Sequence, residues 1–229
     1  MAVTLAYDVY GTLIDTDGIA AALEPQLGGQ AGAFARLWRQ KQLEYAFRRG
    51  LMQRYRDFGV CTSDALAYAC VAFGVAPSGE EKARLMGAYA WLPAFDDARD
   101  GLERAREAGF RCYAFSNGRA DAVEEVLRNA GIRELLLEVI SVDEVRTFKP
   151  SPLVYEHFLR RTGAEGDQAW LVSANGFDVI GALAAGMRAA WLRRTPGAPL
   201  DPWGLEPGLT VATLSELPGR VAALTDGPG

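Results

Sequence analysis

The chain has 229 residues, 49% of them hydrophobic, enough for one α/β domain with a sizeable core, or a core carrying a small insert. Its net charge of −5 argues against nucleic acid as a partner, which requires a basic face. The only histidine, His157, lies in a charged stretch that reads as a helix surface, so Cys–His, Ser–His–Asp and multi-histidine zinc chemistry are nearly excluded.

Val3 to Asp8 is a short apolar run rich in strand formers and closed by Gly11, which predicts a buried strand. No basic region followed by an apolar core precedes it, and no apolar run reaches the roughly 18 residues that a membrane span needs. A cytoplasmic protein with no membrane partner is therefore expected. From 17 to about 92 the pattern is helical. Leu37, Trp38, Lys41, Gln42 and Tyr45 recur at three- and four-residue spacing, Gly50 punctuates the run, and two more helical stretches follow near 63–73 and 79–90 before Pro93 ends the block. Cys61 and Cys70 in this block, with Cys112 beyond it, have no CxxC spacing and read as reduced thiols.

From 94 onward helix and strand alternate. Helices are predicted near 97–108, 119–130, 151–162 and 177–185, and strands at 110–115, 137–141, 169–172 and 188–192. Gly109, Gly131 and Gly186 serve as C-terminal helix stops. This alternation implies right-handed crossovers and a parallel sheet covered on both faces. The tail 195–229, rich in Pro and Gly, is expected to hold one edge strand near 209–213 and then a frayed end. The fold class is thus α/β, a Rossmann-like parallel-sheet core (1–14 and 94–229) with a helical cap domain (15–93) inserted after the first strand.

Ligands of open parallel sheets bind at the carboxyl ends of the strands. That rule selects Asp8, Ser116-Asn117-Gly118, the Lys149 loop, and Ser173-Ala174-Asn175 before Asp178. Any one alone fits a turn or an N-cap; four at one edge of one sheet are harder to dismiss.

These same segments carry a family resemblance. Asp8-Val9-Tyr10-Gly11-Thr12-Leu13, Ser116-Asn117-Gly118, Lys149-Pro150-Ser151-Pro152 with Tyr155, and Ser173-Ala174-Asn175-Gly176-Phe177-Asp178 resemble motifs I to IV of the haloacid dehalogenase superfamily. Trp38-Arg39-Gln40-Lys41-Gln42-Leu43-Glu44-Tyr45 resembles the helical cap of its 2-haloacid dehalogenase branch. The superfamily's phosphatases carry a second Asp two residues after the nucleophile, where this chain has Tyr10. They also hold Mg²⁺ through a carboxylate at the position of Ala174, and Mg²⁺ prefers octahedral oxygen ligands. Both losses suit a substrate whose leaving group is a halide needing no proton, and would cripple phosphoryl transfer.

The resemblance implies hydrolysis of short-chain L-2-haloacids to D-2-hydroxy acids with no metal and no cofactor. Asp8 would be the nucleophile and Lys149 the ammonium that keeps it ionised. Thr12 and Ser173 would hydrogen-bond its carboxylate, with Asn175 also in the catalytic group. Asp178 would orient Lys149 or help activate water, and Arg39 would receive the halide. Ser116 would bind the substrate carboxylate, Asn117 is a second halide candidate, and Tyr10, Gln40, Leu43, Phe58, Tyr155 and Phe177 would complete the substrate pocket. Homodimers are common in this group. The alternatives are a phosphatase with an atypical metal site and a non-catalytic small-acid binding protein on the same fold.

Overall fold

The computed structural model describes residues 3–225. Six strands, β1 (Thr4–Tyr7), β2 (Arg111–Ser116), β3 (Val139–Ser141), β4 (Ala169–Ser173), β5 (Arg188–Leu192) and β6 (Leu209–Val211), form one sheet in the order β3-β2-β1-β4-β5-β6. Every pairing is parallel. The central strands are apolar without alternation because both faces are covered. Trp170, Val172, Ala190 and Leu192 join the hydrophobic cluster on one face; their neighbours Leu171, Ala189 and Trp191 join the cluster on the other.

Four helices stand between β1 and the rest of the sheet in chain order: α1 (Gly18–Leu27), α2 (Ala31–Leu51), α3 (Phe58–Phe73) and α4 (Gly79–Gly87). Asp57 caps α3 by accepting from the Val60 amide, and Gly74 ends it in the left-handed region at φ 66°. Ser78 and Glu81 form a reciprocal capping box on α4. Phe34 and Trp38 of α2, Leu66 of α3 and Leu85 of α4 belong to the same buried cluster as Leu5 and Tyr7 of β1. The segments entering and leaving the insertion are laced together, the Asp15 amide donating to the Pro93 carbonyl and Phe95 to Leu13. Beyond them α5 (Ala98–Glu107), α6 (Ala120–Asn129), α7 (Pro152–Thr162) and α8 (Gly176–Ala184) alternate with the strands as expected.

Two expectations fail here. The tail does not fray after β6: α9 (Leu217–Thr225) follows, burying Leu217, Pro218 and Val221. Leu217 and Val221 are four residues apart, so they share a helix face, and Pro218 lies in the first turn, where its missing N–H is harmless. His157 is only partly at the surface; its side chain is 12% exposed and lies 3.5 Å from the exposed Glu144.

The sheet order sets the location of any site. From β1 the chain fills one side of the sheet with β2 and β3, then crosses to place β4 on the other side. The carboxyl ends of β1 and β4 flank this reversal, the position at which open α/β sheets bind ligands.

Candidate active site

Asp8 follows β1 directly and is 7% exposed. Its Oδ2 accepts from the Thr12 hydroxyl at 2.9 Å and from Asn175 Nδ2 at 2.7 Å; its Oδ1 lies 3.2 Å from Lys149 Nζ. The turn that brings Thr12 back to Asp8 passes through Gly11 at φ 87°, a conformation open to glycine and strained for other residues. Thr12 is held in turn, its hydroxyl oxygen accepting from the Ala174 amide at 2.9 Å.

Lys149 is 1% exposed, and its ammonium makes three donor contacts: Asp8, the Phe115 carbonyl at 2.8 Å and Asp178 Oδ2 at 2.8 Å. It also lies 4.3 Å from the centroid of the Phe115 ring. Burial works against its charge, but Asp178 and Asp8 outweigh burial and hold it above the usual lysine range. Asp178, in the first turn of α8 and also 1% exposed, receives the Tyr155 hydroxyl on Oδ1 at 2.8 Å. Burial lifts its carboxyl above the ordinary value, with Lys149 opposing and Asp8 adding to the rise. Gly181, one helical turn on, leaves room for this contact: a Cβ there would lie 2.6 Å from Pro150 Cβ and collide with the Tyr155 hydroxyl.

Arg39 reaches over the same edge from α2. Among the described residues its guanidinium makes two hydrogen bonds, both long, 3.4 Å to the Tyr10 carbonyl and 3.3 Å to Gln42 Oε1. Tyr10 itself is walled in, and burial pushes its phenol up to about 12, so the ring is neutral at working pH. Ser116 is buried at the end of β2, its hydroxyl accepting from the Gly118 amide at 3.1 Å, while Asn117 Oδ1 accepts from the Lys149 amide at 3.0 Å.

Asp8, Thr12, Lys149, Asn175, Asp178 and Tyr155 therefore form one connected network, with Arg39 above it. Ser173 does not reach the carboxylate; its hydroxyl accepts from the Asn175 amide at 3.1 Å and so orients the residue that does. Gln40 is exposed, one position out of phase with the inward face of α2. Gln42 is the buried glutamine, bridging Arg39 and the Tyr89 hydroxyl at 2.5 Å. The predicted pocket walls also divide. Tyr10 and Phe58 line a hollow of about 150 Å³ with Met86, Tyr89 and Gly118, while Phe177 turns toward Phe47, at 5.0 Å between ring centroids, along a separate apolar groove of about 650 Å³. Leu43 packs against the hydrophobic cluster near Tyr45 and Tyr55. Sequence reasoning missed Gln42 and Tyr89 as site residues. A polar side chain three residues after Arg39 on a helix was the available signal for Gln42; Tyr89 gave none beyond being aromatic.

An ammonium wedged between two carboxylates resists other cations. Lys149 already engages one oxygen of Asp8 and one of Asp178, and Ala174 contributes only a backbone amide, already donated to Thr12. Among the described residues no group of three or more His, Cys, Asp or Glu side chains converges. The residues present do not fit the magnesium site of the wider superfamily, because Ala174 stands where that site has a carboxylate.

Known proteins match this arrangement along most of the chain. The haloacid dehalogenase-like hydrolase family matches residues 3–186. An (S)-2-haloacid dehalogenase of Pseudomonas putida is 36% identical over 93% of this chain and 93% of its own. Haloacetate dehalogenase H-2 of Moraxella sp. (strain B) is 35% identical over 95% of this chain and 97% of its own. The structure of L-2-haloacid dehalogenase from Xanthobacter autotrophicus with chloropropionic acid covalently bound superposes with a TM-score of 0.91 at 32% identity, covering 98% of this chain and all of the other. With Asp8, Lys149 and Asp178 joined as described, and with matches of this extent, the chain belongs to the haloacid dehalogenase-like hydrolases, in the branch of the (S)-2-haloacid dehalogenases.

Proposed function

We propose that the protein hydrolyses short-chain L-2-haloacids to D-2-hydroxy acids through an ester on Asp8, without a metal ion. The observation that carries this reading is the bracing of Asp8. One carboxylate oxygen takes two hydrogen bonds, from Thr12 and Asn175, and the other has only the longer contact to Lys149. Oδ1, the less encumbered oxygen, attacks C2 of the haloacid in line with the carbon–halogen bond, whose electron pair leaves with the halide. The ester forms with inversion at C2, which turns an L-haloacid into a D-hydroxy acid. Water then adds to the Asp8 carbonyl carbon. Negative charge develops on Oδ2, where the Thr12 hydroxyl and Asn175 amide already point, the preorganised donor arrangement that lowers acyl-transfer barriers. The bond from that carbon to Oδ1 breaks, and Oδ1 departs as the product hydroxyl with one proton of the attacking water, the other being released to solvent as Asp8 returns to its carboxylate.

In this reading Asp178 orients Lys149 instead of contacting substrate, because its two oxygens are engaged by Lys149 and Tyr155. Arg39, weakly held at both ends of its guanidinium, is free to receive the halide; Asn117, whose amide nitrogen has no partner among the described residues, is the second candidate. Ser116 at the end of β2 takes the substrate carboxylate. Residues 15–93 act as a cap domain over a core made of 1–14 and 94–229. A cytoplasmic location accords with three buried free cysteines. A homodimer is the assembly we propose; exposed Leu51, Met52 and Val71 offer apolar surface for it.

The test is halide release from L- and D-2-chloropropionate. The L isomer should yield D-lactate and chloride, the D isomer should be inert, and Asp8→Asn should abolish the reaction. Equal turnover of both isomers, or an active Asp8→Asn variant, contradicts the proposal.

A further inference from the structure

Behind the nucleophile loop lies a charged pair that the chemistry above does not use. Arg194 follows β5 by two residues, and Asp97 immediately precedes α5. Both side chains are mostly covered, at 19% and 16% exposed. The Arg194 fork is split between two acceptors, one terminal nitrogen donating to Asp97 Oδ2 at 2.9 Å and the other to the Thr12 carbonyl at 2.7 Å. Its guanidinium carbon lies 3.8 Å from the centroid of the Phe95 ring. Asp97 is anchored by a second partner, the Leu214 amide, which donates to it at 2.8 Å. We propose that Arg194 is a positioning residue for the nucleophile: it fixes the backbone of Thr12, and through the Thr12 hydroxyl it sets the angle of the Asp8 carboxylate, with Asp97 aiming the guanidinium.

Within the loop the Gly11, Leu13 and Ile14 amides are bonded at 2.8–2.9 Å, whereas the Thr12 amide makes only a 3.3 Å bond to Val9, so Thr12 is the loop residue whose own backbone is held least from inside. The hydroxyl bonded to Asp8 has two supports, the Ala174 amide that donates to it and the backbone beneath it that Arg194 holds. The shortest bond to that backbone is the one from Arg194, and it is charge-assisted. Arg194 also stands where the chain enters and leaves the helical insertion. Phe95, against which it stacks, donates its amide to the Leu13 carbonyl. One side chain thus braces both the nucleophile loop and the junction of the insertion. A lysine preserves the charge but cannot present two diverging N–H groups in a plane.

This inference rests on Asp8 being the nucleophile, so wild-type chloride release from L-2-chloropropionate is measured first; failure there falls on that reading and not on Arg194. The variants are Arg194→Lys, Asp97→Asn and, as a core control remote from the loop, Leu209→Val. Arg194→Lys should stay folded yet lose about tenfold to a hundredfold in kcat, the scale of a slightly misplaced reacting group, with KM within about twofold of wild type. Asp97→Asn should fall in the same direction by less and carries the test if Arg194→Lys does not fold. In a Thr12→Val background Arg194→Lys should cost no further kcat, because the route through the hydroxyl is already cut. Leu209→Val should lower thermal stability alone. If Arg194→Lys and Asp97→Asn lower melting temperature as Leu209→Val does while kcat stays at the wild-type value, or if the losses from Thr12→Val and Arg194→Lys multiply, the pair is merely structural and the proposal is overturned.

Discussion

Replacing Lys149 with Met keeps a long unbranched side chain in the core and removes only the charge. Three contacts of the ammonium vanish, to Asp8, Asp178 and the Phe115 carbonyl, and two carboxylates are left buried without their cation. Breaking a buried pair by deleting one partner costs about 3–5 kcal/mol. For a chain of this size that is a fall of roughly 6–20 °C in melting temperature. The pH dependence identifies the cause. Lys149 has a raised folded pKa, so its stabilisation is fully present below its unfolded value of 10.5 and is lost only as pH climbs through the higher folded value. The wild type should therefore show a loss of stability on that alkaline side that the variant lacks. In Lys149→Met the largest influence opposing the upward shift of Asp178 is gone, leaving only the Tyr155 hydrogen bond against burial and Asp8, which both raise it. A carboxyl with a raised folded pKa favours the fold at low pH and loses that contribution as pH rises through the folded value. The variant should accordingly regain stability on moving from pH 8 to pH 5. Urea unfolding at both pH values checks this, with chloride release expected to fall below detection. A variant as stable as wild type at pH 8, or equally weakened at both pH values, would refute the reasoning.

Gly181→Ala should lower stability and activity together, since the added methyl meets Pro150 and Tyr155 and pushes the Tyr155 hydroxyl off Asp178; overpacking of this kind costs about 1–3 kcal/mol, read by thermal unfolding beside chloride release. Excess EDTA should leave dehalogenation unchanged, and hydrolysis of para-nitrophenyl phosphate with Mg²⁺ should be negligible, because Ala174 supplies no carboxylate for the metal and Tyr10 no acid for the leaving group; activity lost to EDTA and restored by Mg²⁺ would contradict this. The acid limb of kcat should have its midpoint above 3.8, the ordinary Asp value, because burial raises Asp178 and its protonation frees Lys149; a limb at or below that value in a pH–rate profile would count against Asp178 as the orienting group.

What was legible in the sequence, and what was not, follows from range. The strands of the sheet announce themselves because burial on both faces makes each a continuous apolar run, and the strand-end residues Asp8, Ser116, Lys149 and Asp178 inherit their position from those runs. The rotational phase of a helix is harder. The helical pattern of α2 is plain, yet which of Gln40 and Gln42 turns inward depends on how the helix is rolled against α1 and α3, and Gln42 is the one buried. Ser173 and Asn175 are two residues apart on one loop, so assigning the carboxylate contact to the wrong one was an error of local geometry. Phe177 and Phe58, both read as pocket walls, border different hollows, a matter of side-chain direction that spacing does not encode. Arg194 could not be found at all. It meets Thr12 across 182 positions only because the strand order brings the end of β5 behind the nucleophile loop. α9 was obscured by a Pro- and Gly-rich composition that masked the Leu217–Val221 repeat.

The covalent step is the centre of the account, and a single turnover in ¹⁸O-water tests it most directly. With enzyme in excess over L-2-chloropropionate, mass analysis of the peptide containing Asp8 should show one ¹⁸O in that carboxylate, while the lactate released carries an unlabelled hydroxyl oxygen taken from Asp8. Label in the lactate with none in Asp8 would mean that water attacks the haloacid directly, and the ester, with the roles derived from it for Thr12 and Asn175, would have to be abandoned.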